Sequence, residues 1–358
     1  QKGAHREEGA MAGPTFEHVV IDGDGPQDPH IKAVGDLDGD GRDELVVASS
    51  AGGPLVWYDL ATLAKHEICP AGEWSCDAEV VDMNGDGAPD VLISEWYGQN
   101  EIEWFENPGS APEEGPWEKR VIGPPRAHDV CVGDLDADGQ IEIVTRDQGD
   151  NGDIIHVYKR GGEDWQRRQI PCPTGEGLAL AQIAGGERLD IVIGGLWYEA
   201  PADPLEGEWA EHRFTEWPGD AVVRPADMNG DGRVDVVLTR SEGPHRVAWF
   251  EAPADPRRPG WEEHLIGDDV DYAHSLRICD LSGDGSLDVV TAEMHQSDRR
   301  RVLVYLNGGD SLSWQRRVLA ESGSHNICIA DLGERGRAIV GANWSGPHQP
   351  IEMWLVTG

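Results

Sequence analysis

An acidic nine-residue pattern recurs five times along the chain, first as Asp36-Leu37-Asp38-Gly39-Asp40-Gly41-Arg42-Asp43-Glu44 and then from Asp82, Asp134, Asp227 and Asp280. Oxygen ligands at positions one, three, five and nine, a backbone carbonyl at seven and glycine at six are the arrangement of a calcium loop. The predicted ligand sets are Asp36, Asp38, Asp40 and Glu44 with the carbonyl of Arg42, and Asp82, Asn84, Asp86 and Asp90 with that of Ala88. The third, fourth and fifth are Asp134, Asp136, Asp138 and Glu142 with Gln140; Asp227, Asn229, Asp231 and Asp235 with Arg233; and Asp280, Ser282, Asp284 and Asp288 with Ser286. Apolar stretches such as Ile31 to Gly35 and Leu45 to Val47 flank each copy. The loop is therefore expected to close a hairpin of two strands, with structural calcium as a staple.

Weaker copies near Gln182 to Asp190 and Asp331 to Ile339 bring the units to seven, spaced by 45 to 53 residues. That period is one of blades or solenoid repeats. After each loop come a second strand, an aromatic third strand (Val56-Trp57-Tyr58, Glu103-Trp104-Phe105, Leu196-Trp197-Tyr198, Ala248-Trp249-Phe250) and a fourth marked by Trp117, Trp165, Trp209, Trp261 or Trp314. A fourth-type strand, Phe16 to Ile21, precedes the first loop, and the last unit stops after its third strand, Ile351 to Val356. The spacing predicts an all-β, seven-bladed β-propeller of four-stranded blades, closed when the N-terminal strand completes the last blade. An open solenoid would require polar capping repeats, and none is visible. One domain is expected over 16–358, after a flexible tail or expression remnant at 1–15.

The recurring Asp-Leu-Asp-Gly-Asp-Gly loop resembles the FG-GAP repeat of integrin α-chains and bacterial VCBS-type propellers, over nearly the whole chain. That resemblance implies the propeller fold and calcium but spans both adhesion modules and enzymes.

The formal net charge is −38, which five calcium ions would leave strongly negative, so nucleic acid and anionic membranes are poor partners. No apolar run approaches a membrane span. Calcium loops favour a secreted, periplasmic or cell-surface setting. No signal peptide is visible, and a chain that does not begin with Met is compatible with one already removed. Cys131 and Cys328 are expected to be buried thiols, whereas Cys69 and Cys76 flank one connection and either pair or stay free.

If the loops close strands one and two at one face, the starts of the inner strands share the other. Six residues before each loop stand His30, Cys76, His128, Glu176, Ala221, His274 and His325. Asp77, Asp129 and Asn326 follow by one position, and Glu79, Arg224 and Arg277 lie three before a loop. Second-strand exits add Glu95, Trp96, Tyr97, Arg146, Arg240, Glu293, His295, Asn343 and Trp344. One such histidine is ordinarily structural; four at one register, around one axis, point to a pocket or to a water-filled plug. Aromatic faces beside charges suit a sugar ring.

No nucleophile elbow, phosphate loop, zincin helix or paired-Cys zinc motif is present. Imidazole, carboxylate and guanidinium suit elimination from a carbohydrate: a cation neutralises a carboxylate or carbonyl and a histidine removes the acidified proton. His128, His274 and His325 are the expected bases or ligands of a divalent channel metal, with Arg224 and Arg277 on the substrate's oxygen. More loosely, Ala127-His128, Ser324-His325-Asn326, Ala273-His274 and Trp104-Phe105-Glu106-Asn107-Pro108-Gly109 resemble the propeller portion of aldos-2-ulose dehydratase and the propeller-fold polysaccharide lyases. The chain lacks that dehydratase's additional C-terminal domains, and substrate identity does not carry across. The leading expectation is a carbohydrate lyase or dehydratase; the alternative is an integrin-like or lectin-like binding module without catalysis, and a calcium-stabilised scaffold is third.

Overall fold

The computed structural model describes residues 13–94, 100–162, 164–346 and 349–358. Among these residues the strands form seven four-stranded antiparallel sheets. Blade one shows the plan. Its inner strand β2 (Pro29–Gly35) runs into the first acidic loop, β3 (Glu44–Ser49) returns, β4 (Gly53–Tyr58) follows, and β5 (Lys65–Gly72) forms the outer edge. The second strand of each blade, such as Leu45 to Ala48, is buried along its length because sheets pack on both of its faces. Seven apolar clusters, most of them shared by neighbouring blades, make up the core.

The inner strands β2, β6 (Ala78–Val81), β10 (Asp129–Gly133), β14 (Ala179–Ala181), β18 (Ala221–Ala226), β22 (Ala273–Cys279) and β26 (His325–Asp331) touch in succession, and β26 returns to β2. This closes the ring. Its last sheet has the order β1 (Thr15–Asp22), β28 (Ile351–Thr357), β27 (Arg337–Ala342), β26, as the strand inventory predicts. In register, Phe16 faces Val356 and His18 faces Trp354.

Cross-strand aromatic pairs repeat between third and fourth strands. Trp57 stacks on His66 at 4.2 Å, Trp197 on His212 at 4.3 Å and Trp249 on His264 at 4.2 Å between ring centroids. The indoles are buried, so these pairs pack sheets together and offer no ligand surface. Trp117, Trp209 and Trp261 share another device: each indole N–H donates to a proline carbonyl five residues earlier, at 3.0 to 3.2 Å.

Within the acidic loops, the position-one carboxylate organises the backbone. Asp36 accepts N–H groups from Gly39, Asp40 and Gly41 at 2.8 to 3.0 Å, and Asp82, Asp227 and Asp280 repeat the pattern. Gly41 has φ 85, a conformation that glycine adopts without a Cβ penalty.

The position-nine carboxylate has a second duty. Asp90 accepts from Met83 N at 2.9 Å and from Asn107 N at 2.7 Å, tying the loop to the end of the third strand; Asp235 and Asp288 do likewise. Asp190 keeps this clasp in blade four, where the other loop carboxylates are missing, with bonds from Ala184 N at 2.7 Å and Ala200 N at 2.8 Å. Position nine is thus a backbone clasp whether or not it also meets an ion.

Cys69 and Cys76 do not pair. All six cysteines are free, with Cys69 beside the carbonyl of Ala71 and Cys76 buried beside the Ser75 hydroxyl. Among the described residues no helix is long and apolar enough to cross a membrane.

Candidate active site at the channel mouth

The shared register of the inner strands brings the predicted histidines together. Ring centroids of His128 and His274 lie 5.5 Å apart, those of His274 and His325 4.5 Å, and those of His325 and His30 4.4 Å. Trp344 continues this file, its ring 4.8 Å from His30 and 4.9 Å from His295. Chain segments nearly 300 residues apart thereby form one row of rings across the mouth.

Glu176 anchors the inner end. His128 Nε2 lies 3.6 Å from its Oε2 and His274 Nε2 3.7 Å from its Oε1, while the Ser241 hydroxyl donates to Oε1. Asp129 Oδ2 lies 3.3 Å from His128 Nδ1 and accepts Gly177 N–H at 2.9 Å. Burial alone would lower the His128 imidazole, but the Asp129 and Glu176 carboxylates outweigh it and raise its pKa to about 10. Burial holds His274 below the usual range and, with the Lys32 charge near His30 and the His30 ring near His325, takes these two well below it.

Hydrogen bonds fix two tautomers. His30 Nδ1 accepts Cys76 N–H at 2.6 Å, so the neutral ring carries its proton on Nε2. His325 Nδ1 faces the carbonyl of His30 at 3.3 Å and must donate, which leaves a lone pair on Nε2. Cys76 at φ 81 and Asn326 at φ 52 hold left-handed conformations beside these rings, and the Asn326 amide donates to the Cys76 carbonyl. Such backbone clusters at functional sites.

Beneath the histidines, Lys32, Asp77, Glu79, Cys131, Arg224, Arg277 and Cys328 line a cavity of about 600 Å³. Its lining continues through Val34, Val80 and Leu180, next to the acidic loops. The sequence places the chemistry on the face away from the loops; the imidazoles lie there, but this channel cavity extends the other way. Arg224 and Arg277 each donate to the carbonyl of the residue before it, at 2.8 and 2.9 Å. Arg224 also borders a cavity of about 30 Å³ beside His128, Glu176 and His274. Burial and the neighbouring Asp77 raise Glu79 to about 7.

Rim residues divide by what they touch. Arg146 is buried and gives its donors to the carbonyls of Gly152, Pro173, Glu176 and Gly177 at 2.7 to 3.1 Å. Glu293 is buried against Arg299 and Arg301. Both pin connections in place of the ligand-facing role expected of them. Arg240 stands 3.6 Å from Asp220, and Asn343 donates to Ser322 O. His295 and Trp344 are half-buried at the mouth. Glu95, Trp96 and Tyr97 lie outside the described residues.

Sequence reasoning assigned no role to Glu176, Ser241, Glu242 or Lys32. Glu176 stands at the histidines' own register, which is its signal, and Lys32 interrupts an apolar strand. Lys32 is 1% exposed, donating to Pro29 O at 2.5 Å and Ala342 O at 3.1 Å, and burial lowers its pKa to about 7. Burial, with Glu176 and Asp220 nearby, raises Glu242 to about 7. On the same face, Arg126, Asp147, Asp150, Asp153, His156 and Arg167 line a polar cleft of about 730 Å³.

Seven blades and a loop at the same hairpin of five of them decide the relationship. The chain carries FG-GAP-like repeats. They match residues 36–93, 82–145 and 227–291. No curated protein matches the chain. Among solved structures, a chain of the mitotic checkpoint complex aligns with 100% of this FG-GAP-like chain and 97% of its own, at 9% identity and a TM-score of 0.56. The exotype rhamnogalacturonan lyase YesX aligns over 96% and 74% at 12% identity and 0.54. The Bacillus licheniformis rhamnogalacturonan lyase PL11 aligns over 95% and 75% at 13% identity and 0.49. The likenesses to the checkpoint-complex chain and to YesX are of fold alone.

Proposed function

We propose that the protein is a carbohydrate lyase or dehydratase that breaks a C–O bond by β-elimination at the channel mouth. The row of His30, His325, His274 and His128 across the mouth, ending on Glu176, supports this reading. A ring-wide sugar-binding surface would repeat an aromatic platform from blade to blade, yet the aromatic features that recur, the Trp–His pairs, have buried indoles.

In this mechanism the sugar lies on Trp344 with its carboxylate or carbonyl toward the guanidinium of Arg240, at the rim; Arg224, beneath the histidines, is out of its reach. His325 Nε2 takes the proton from the neighbouring carbon, and the C–H electron pair becomes the new double bond. The C–O bond breaks, and its oxygen leaves with the bonding pair and takes a proton from Glu242, which burial keeps available near neutrality. His325→Gln is expected to lower the rate about 10²- to 10⁴-fold, read as unsaturated-product absorbance on uronate polysaccharides and keto-sugars. Glycan binding by the wild type without product from any substrate would favour the binding module instead.

The calcium proposal has its own geometry. The ligand atoms of Asp36, Asp38 and Asp40 lie within 4.8 Å of one another, as do those of Asp134, Asp136 and Glu142. Burial, with Asp38 close by, pushes Glu44 up to about 8, strain that a bound cation relieves. Arginines meet a single loop carboxylate in blades one and five, Arg42 on Asp40 and Arg233 on Asp231, but blade three sets one cation among three carboxylates. Lys159 Nζ sits 2.6 Å from Asp136, 2.8 Å from Asp138 and 3.1 Å from Glu142, a tethered ammonium among the carboxylates. The expected calcium count therefore falls from five to four. Lys159→Met is expected to bind one ion more than the wild type by calorimetric titration; equal counts would mean that Lys159 swings aside for calcium.

A further inference from the structure

We propose that His128, Glu176 and His274 bind one divalent transition-metal ion, of the zinc, cobalt or manganese class, separate from the acidic loops. Three features of the structure argue for it, and none depends on the lyase reading.

The first is spacing. The three side chains are buried and offer ligand atoms within 4.8 Å of one another, with N–O separations of 3.6 and 3.7 Å. These separations are too long for good hydrogen bonds. Metal bonds of about 2.0–2.2 Å at a tetrahedral angle put ligand atoms roughly 3.3–3.6 Å apart, close to what the cluster shows. Glu176 Oε2 is buried with no hydrogen-bond partner, at a cost that an ion would offset.

The second is support around the ligands. Asp129 faces the far nitrogen of His128, which directs Nε2 toward Glu176, and the Ser241 hydroxyl holds the carboxylate. A carboxylate behind a ligating imidazole fixes its tautomer and orientation.

The third is room. The adjoining cavity of about 30 Å³ has Asp77 and Arg224 in its walls. A water needs about 10–15 Å³ by this measure, so the space suits an ion's open coordination position and is too small for a sugar ring. Two imidazoles and one carboxylate select borderline metals over calcium and magnesium, which prefer all-oxygen sites.

Cobalt(II) is the probe, because its visible spectrum reports coordination. The full-length protein, stripped of metal and then saturated with calcium to fill the acidic loops, is titrated with Co²⁺ and back-titrated with Zn²⁺. One equivalent of Co²⁺ with a four- or five-coordinate spectrum, displaced by Zn²⁺, is expected. His274→Ala should abolish that spectrum, and Asp129→Asn should weaken affinity about 10- to 100-fold. Thermal melts of each variant with calcium present show whether it is folded. Should a variant not fold, Glu176→Gln, which keeps shape and the Ser241 contact, gives the same reading. Absence of a coordinated-cobalt spectrum in the folded wild type, or an equal spectrum in the folded His274→Ala or Glu176→Gln protein, would overturn the assignment.

Discussion

Removing calcium is expected to lower the melting temperature by on the order of 10 °C. An ion held only by the native state at about 100 times its Kd contributes roughly 2.7 kcal/mol, and four loops share the ring. A domain of 150–250 residues shifts by about 2–4 °C per kcal/mol, and a longer one by less. The loops have reason to depend on the ion. Asp36, Asp38 and Asp40 crowd within 4.8 Å in a chain of net charge −38. Burial and the neighbouring Asp40 and Asp36 raise Asp38 above the usual carboxylate range. Calorimetric scans with excess chelator, repeated after calcium is restored, measure the effect. A chelated protein that melts unchanged would mean that the position-nine clasps hold the hairpins without metal.

Arg146→Ala is expected to cost about 3–5 kcal/mol, because several buried carbonyls lose their donors together and each unsatisfied group costs about 1–3 kcal/mol. The guanidinium fills a gap between blades three and four by meeting four carbonyls. Its loss leaves those acceptors buried and unpaired. Lysine should rescue little, since one ammonium cannot reproduce a planar fork. Urea unfolding with calcium present separates this role from ligand binding: a normal midpoint with impaired glycan turnover would return Arg146 to the substrate site.

Arg146 also shows where reading from sequence stops. Asp36 to Glu44 and its repeats identify hairpins because ligand spacing is local, and Phe16 to Ile21 identifies ring closure because a strand is missing at the other end. The histidine register is legible for the same reason: position along an inner strand sets height in the channel. Which neighbour each side chain meets across the ring is a different question. Glu176 meets Ser241 of the next blade and the two histidines only because blades three to six crowd one corner, and no interval in the chain encodes that. Arg146 looks like a rim cation in the same triplet style as Arg240, yet the turn at Gly152 folds back and takes its donors. Lys159 is likewise remote from its loop in sequence and adjacent to it across the hairpin.

The joining of β1 to β28 has a consequence for how the molecule is made. Six sheets are each built from one continuous stretch, so each can assemble soon after it is synthesised. The seventh pairs Thr15 with Thr357 and must wait for almost the whole chain. Until then β1 is a strand without a partner, a template that a second nascent chain can pair with as readily as its own β28. Production at high concentration should therefore favour dimers exchanged through that one strand, with every other blade intact.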